Sequence, residues 1–272
     1  MPFGRKGKFW LAATSFASLA ALAGAWLHGV GVLSFGYNLQ PLSEEAYRTL
    51  ARSPGWAPLT LDRDGAVLRG LVRRPSSGNT KWVMFLNGNE GHPLETGQRV
   101  LEALRGSNDW GCVVWAYRGY DGSGGSPSPK LLEDDALREY EKLLSDESLE
   151  GRRVHLVAFS LGTGIATSVA ARASDPPVTL SLLAPYTKID MLPGSRFVRH
   201  RYTTLDFLDG IRSHVLIVHG ERDTVLPIEQ GRTVRSRLGS RGTFLAEPDS
   251  GHLDLQDSAA AHAAVRAFIE RN

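Results

Sequence analysis

Ser160 stands in Ala158-Phe159-Ser160-Leu161-Gly162, after the apolar run Val154-His155-Leu156-Val157-Ala158-Phe159 and before a stretch that opens a helix. A serine in a sharp turn from strand to helix has its hydroxyl pushed out above the sheet. The residues two before and two after it then pass close together and must be small. Ala158 and Gly162 meet that demand. The setting suits nucleophilic attack on an acyl carbon; it also suits an ordinary strand-to-helix connection with Ser160 as the helix N-cap. A serine hydroxyl needs a base, and the base needs an acid to orient it. Two later loops offer both. Val215-Leu216-Ile217-Val218 runs into His219-Gly220-Glu221-Arg222-Asp223, and Ser250-Gly251-His252-Leu253-Asp254 precedes the last helical stretch.

These loops resemble those of the α/β-hydrolase superfamily. The serine segment is similar to its G-x-S-x-G nucleophile elbow, with Ala158 in place of the first Gly. In that superfamily the chain order is Ser, acid, His. The resemblance therefore implies Ser160 as nucleophile, Asp223 as acid and His252 as base. Glu221 is the rival acid, and Asp254 is too near His252 in sequence to be preferred. An oxyanion hole needs two backbone N–H groups. The resemblance implies Leu161 as one donor and Asn89 as the other, from the loop Asn87-Gly88-Asn89-Glu90-Gly91-His92. The family usually begins that loop with His-Gly, where this chain has Asn87-Gly88. Tyr117-Arg118-Gly119-Tyr120-Asp121-Gly122-Ser123-Gly124 resembles a loop of small membrane-linked α/β-hydrolase-domain proteins, some of which cleave acyl esters or thioesters. It is read as a structural loop near the pocket. His28, His155, His200, His214, His219 and His262 are read as structural or surface residues.

The elements that must position these residues follow from the hydrophobic pattern. Asp64-Gly65 between Leu59-Thr60-Leu61 and the run at 66–72 signals a hairpin. Runs at 82–86, 112–117, 154–159, 178–183 and 215–218 are apolar at nearly every position, as in strands covered on both faces. Helical stretches fall at 96–105, 129–145, 161–173, 228–238 and 259–270. A hairpin followed by β-α units gives an α/β fold: a mostly parallel central sheet with helices on both faces. Ligands of such sheets gather at the carboxyl ends of the strands, where the candidate residues lie. The stretch 186–211 leaves room only for a short cap and an open site. Arg196, Arg199, His200 and Arg201 make that cap basic.

The chain has 272 residues, which suits one large domain, here 56–272 after a linker at 36–55. A net charge of +2 gives no electrostatic ground for a nucleic-acid partner. The single cysteine, Cys112, cannot form an internal disulfide and sits in a strand-like run, as small core residues do. Residues 1–8 carry Arg5, Lys6 and Lys8 and no acid, and no charged side chain follows until after Phe35. A basic start before an uncharged apolar run is the form of a signal anchor or signal peptide, and roughly 20 apolar residues span a bilayer. Ala23-Gly24-Ala25 offers a cleavage site. The first Lys or Arg after the run is Arg48, so the catalytic domain is expected outside the cytoplasm, either anchored in the membrane by 1–35 or secreted.

The sequence thus predicts a serine hydrolase of carboxylic esters or thioesters, working through an acyl-enzyme with no metal or organic cofactor. Its substrate is expected to be a small-molecule or lipid-derived acyl ester, and its membrane contact the N-terminal segment. A serine peptidase of the same fold, and a non-catalytic binding module on this fold, are the alternatives. The peptidase usually needs a large gating domain, and the binding module typically lacks a member of the triad.

Overall fold

The computed structural model describes residues 33–76, 80–89, 91–145, 153–191 and 200–272. One eight-stranded sheet forms the centre. Its strands are β2 (Trp56–Arg63), β3 (Ala66–Arg73), β4 (Lys81–Leu86), β5 (Gly111–Trp115), β6 (Arg153–Phe159), β7 (Thr179–Leu183), β10 (His214–Gly220) and β11 (Gly242–Glu247). Their spatial order is β11-β10-β7-β6-β4-β5-β3-β2. β2 pairs antiparallel with β3 and β3 antiparallel with β5; every other pair is parallel. Asp64 and Gly65 both take positive φ, which closes the hairpin with a two-residue turn whose twist matches its strands.

Helices cover both faces, which is why β4, β5, β6, β7 and β10 are buried almost throughout. α2 (Pro93–Arg105) and α6 (Ala259–Arg271) pack together over one face. α3 (Pro129–Leu144) and α4 (Leu161–Arg172) pack together over the other, which α5 (Ile228–Leu238) completes beyond β10 and β11. This is the architecture that the sequence resemblance implied. The core is continuous across the sheet and includes Cys112, whose burial pushes its thiol up to about 12. That thiol carries no thiolate at neutral pH.

Three features depart from the sequence pattern. First, the segment 36–55, expected as a linker, is built into the body. It carries α1 (Glu44–Ala51), capped by Ser43, whose Oγ accepts from the Ala46 N–H. Tyr47 and Ala51 are buried, the Gln98 amide donates to Leu50 O, and Arg69 sits 4.8 Å from the Tyr47 ring centroid. An amphipathic helix with such partners docks instead of spanning. Second, β11 is a half-buried edge strand whose weak apolar signal leaves no run in the sequence pattern. Third, a small second sheet joins β1 (Leu33–Phe35), β8 (Lys188–Met191) and β9 (His200–Thr203), with β8 in the middle. The short cap is therefore made of two distant pieces of chain. Residues 1–32, with most of the expected anchor, lie outside the described residues, as do Arg196 and Arg199; Leu33–Phe35, the end of that apolar run, form β1. Among the described residues no helix is long and apolar enough to cross a membrane.

Candidate active site

The strand order explains how distant residues meet. β6 ends at Phe159, and Ser160 opens α4 with φ 49° and ψ −118°. A non-glycine residue in that region is strained, and the surroundings must hold it there. They do so by close packing. A Cβ at Gly162 would lie 2.3 Å from Leu86 O and 2.4 Å from Asn87 O, so only glycine fits beneath the end of β4. The Ser160 amide donates to Leu183 O on β7. Ser160 makes no side-chain cap to α4, so the N-cap reading does not describe its hydroxyl.

β10 and β11 are parallel neighbours, and each runs into one of the other two loops. Gly220 ends β10 under the histidine loop, where a Cβ would come 2.2 Å from Ser250 O. The Arg222 amide donates to the same carbonyl. This contact sets Asp223 and His252 side by side. Asp223 Oδ2 lies 2.7 Å from His252 Nδ1, and His252 Nε2 lies 3.0 Å from Ser160 Oγ. A carboxylate can only accept, so Nδ1 carries the proton and Nε2 is free to take one from the serine. The Phe159 ring packs against the imidazole at 5.0 Å between centroids.

Asp223 is held by more than His252. Its Oδ1 accepts from the Val225 and Leu226 amides, at 2.9 and 2.7 Å. Burial by itself pushes the carboxyl up. Hydrogen bonds from His219, His252 and the Leu226 amide outweigh it and hold the group well below the usual carboxylate range. His219 is fully buried, its Nε2 2.8 Å from Leu226 O and 3.5 Å from Asp223 Oδ2. The carbonyl accepts, so His219 Nε2 is the protonated nitrogen. His219 thus backs the acid loop, a role its sequence context hid; a lone histidine in an otherwise apolar strand was the available sign. Glu221 is exposed. Asp254 Oδ2 accepts from the Gly251 amide and so braces the histidine loop.

The site opens into a cavity of about 410 Å³ lined by Ser160, Leu161, His252 and Asn89, with Phe159, Ile189, Leu226 and Leu253 as apolar walls. Asn38 also lines it, a residue that sequence reasoning missed because nothing local marks it. Asn89 and Leu161 thus stand at the mouth beside Ser160. Asn87 is buried, and its side-chain amide has no hydrogen-bond partner among the described residues. Its loop is held instead through the main chain, where Tyr117 donates to Asn87 O at 2.6 Å. Arg118 forms a buried two-pronged pair with Asp135 on α3, which ties the Tyr117–Gly124 loop to the helix layer.

Comparison with known proteins bears on the family and the fold. Residues 200–272 match the model of the TAP-like protein family. An uncharacterized Mycobacterium tuberculosis protein is 26% identical over 218 residues, 76% of each chain. The lysophosphatidylserine lipase ABHD12 of Danio rerio is 30% identical over 198 residues; the match covers 60% of this chain and 51% of the lipase. Among solved structures, the Pyrococcus furiosus esterase Pf2001 superposes with a TM-score of 0.65 at 14% identity, covering 86% of this chain and 99% of the esterase. Est1E from Butyrivibrio proteoclasticus with ferulic acid bound superposes with a TM-score of 0.65 at 16% identity, covering 78% and 98%. At such identities the structural likeness concerns the fold.

Proposed function

Because the chain belongs to the α/β-hydrolase superfamily, we propose that its relay of Ser160, His252 and Asp223 makes it a serine hydrolase of carboxylic esters or thioesters. The observation that carries the reading is the unbroken relay, 3.0 Å from Ser160 Oγ to His252 Nε2 and 2.7 Å from His252 Nδ1 to Asp223 Oδ2.

Ser160 Oγ attacks the acyl carbon while His252 Nε2 takes its proton. The carbonyl oxygen gathers charge and is met by the backbone N–H groups of Leu161 and Asn89. The bond to the alcohol or thiol then breaks, and His252 returns the proton to the leaving group. Water, deprotonated by His252, attacks the acyl-serine and releases the acid. Asp223 keeps its charge throughout and holds the imidazole in the required tautomer. The apolar walls suit the acyl part of the substrate. The lipase and esterase names of a relative and a structural neighbour support an acyl ester over a peptide. A fluorophosphonate probe tests the reading. The wild-type protein should take up one equivalent, found on the Ser160 peptide; no adduct, or an adduct on another residue, removes Ser160 from the role.

We also propose that the stretch up to residue 32 acts as a signal anchor, or as a signal peptide cleaved after Ala25, with the catalytic domain outside the cytoplasm. The support is the basic start, the uncharged apolar run and the absence of Lys and Arg until Arg48. A C-terminal alkaline phosphatase fusion should be active and a green fluorescent protein fusion dark; the reverse pair means a cytoplasmic domain. The mass of the mature chain separates an anchor, starting at or near Met1, from a secreted form starting at Trp26.

A further inference from the structure

The segment 36–40 lies upstream of the stretch that the sequence marked as catalytic, yet it touches the loop that carries the second oxyanion donor. The contact runs through the Asn89 side chain. Its Nδ2 donates to Gly36 O at 2.6 Å, and its Oδ1 accepts from the Asn38 N–H at 3.1 Å and from the Tyr120 hydroxyl at 2.6 Å. The orientation of the amide follows from its partners. The Gly36 carbonyl can only accept and the Asn38 amide can only donate. Both lone pairs of the Asn89 oxygen and one of its N–H groups are thereby used. Next to this clamp, Gln40 packs against Gly91, where an added Cβ would meet Gln40 Cγ at 2.4 Å. Upstream, the chain enters β1, which pairs with β8, and Ile189 of β8 forms a wall of the cavity. The other end of the oxyanion loop is held by the hydroxyl of Tyr117 on Asn87 O. The rings of Tyr117 and Tyr120 meet edge to face at 6.0 Å.

We propose that Asn89 is a positioning residue for the oxyanion hole through its side chain, and that residues 36–40 form a strap built into the active site. This rests on the reading of Ser160 as nucleophile. A short turn such as Asn87-Gly88-Asn89 has little to fix its own backbone. A donor aimed at a developing charge acts through preorganisation, so its direction must be set before the reaction. The strap and Tyr120 set it, by holding the side chain of the residue whose backbone N–H donates. The strap also joins the catalytic centre to the chain that precedes it. A pull on, or displacement of, the segment entering β1 then reaches the oxyanion donor directly.

The test uses the full-length chain and p-nitrophenyl butyrate. Asn89→Ala keeps the backbone N–H and deletes the clamp. It should lower kcat about tenfold to a hundredfold, below the roughly 10²–10³-fold seen when a donor is removed outright. KM should stay within about twofold, since the loss concerns the transition state. Tyr120→Phe should move kcat in the same direction by less. Asn89→Asp keeps the shape but sets a carboxylate oxygen against Gly36 O and adds negative charge beside the oxyanion. It should do no better than Ala. The readout that separates positioning from general structure is affinity for a trifluoromethyl ketone analogue. It should fall in step with kcat/KM, while affinity for the product acid holds. If Asn89→Ala fails to fold, Tyr120→Phe decides by the same ratio. A kcat within about twofold of wild type, or a rise in KM with kcat unchanged, overturns the proposal. A wild-type protein that neither hydrolyses the ester nor takes up the fluorophosphonate overturns the serine-hydrolase reading and this one with it.

Discussion

Ser160→Ala is expected to lower kcat for an activated ester by roughly 10⁴-fold or more while the protein stays folded. The two halves of that expectation have separate physical grounds. The rate falls because the hydroxyl is the atom 3.0 Å from His252 Nε2, and an alanine leaves the base with no proton to take. The fold survives because the Ser160 hydroxyl contributes little to it. The side chain makes no cap to α4, so the cap loss of about 0.5–2 kcal/mol that a Ser→Ala change can bring does not arise. The backbone strain at φ 49° is the same for both residues, since both carry a Cβ. What holds the turn is the packing of Gly162 under Leu86 and Asn87 and the Ser160 amide on Leu183 O, and neither involves the hydroxyl. Steady-state kinetics and a melting curve on one preparation check both halves. Retention of more than a trace of activity in the folded mutant would assign the nucleophile elsewhere.

The elbow illustrates what the sequence made legible and why. Ser160 and Asp223 each follow a strand whose residues are apolar on both faces, and that pattern survives into the structure because buried parallel strands have no solvated side. The small residue at 162 was readable from its spacing to Ser160, although the two carbonyl oxygens that require it belong to Leu86 and Asn87, far off in the chain. Other parts depend on contacts between residues far apart in the chain. The Asn38 amide reaches Asn89 across 51 positions, and Tyr37 meets Tyr202 through their hydroxyls across 165. No window of sequence contains both members of such a pair. β11 was hidden for another reason. It lies at the sheet edge and is mostly half-exposed, so its alternation carries little contrast. α1 had a readable signal, Ser43 followed by two glutamates with Tyr47 and Leu50 on one face. In the sequence the segment nevertheless reads as a linker, because the partners of this helix, Arg69 and Gln98, lie well along the chain.

Asp223→Asn should cost nearly as much activity as loss of the nucleophile, roughly 10⁴-fold, whereas Glu221→Gln should cost little. The two side chains are two positions apart and carry the same charge; only geometry separates them. Asp223 has a side chain closed off from solvent, with Oδ2 on His252 Nδ1, while Glu221 is exposed. An asparagine can offer an N–H to His252 Nδ1, which then has to accept. The proton moves to Nε2, facing Ser160, and the imidazole can no longer act as base. Glu221→Gln changes only a solvated charge. The reverse ranking of the two mutants in kcat/KM would give the acid's role to Glu221. The same carboxylate leaves a mark on stability. Its folded value lies below the ordinary aspartate value of about 3.9, so its ionised form stabilises the folded chain above about pH 4. That contribution is lost as the pH falls below about 4 towards the folded value. The difference in stability between wild type and Asp223→Asn, followed by denaturant titration, should therefore hold steady from pH 7 to about 5 and shrink below about 4. A difference that grows on acidification would mean that Asp223 is neutral in the folded protein. The imidazole would then lack the charge that the proposed relay places beside it.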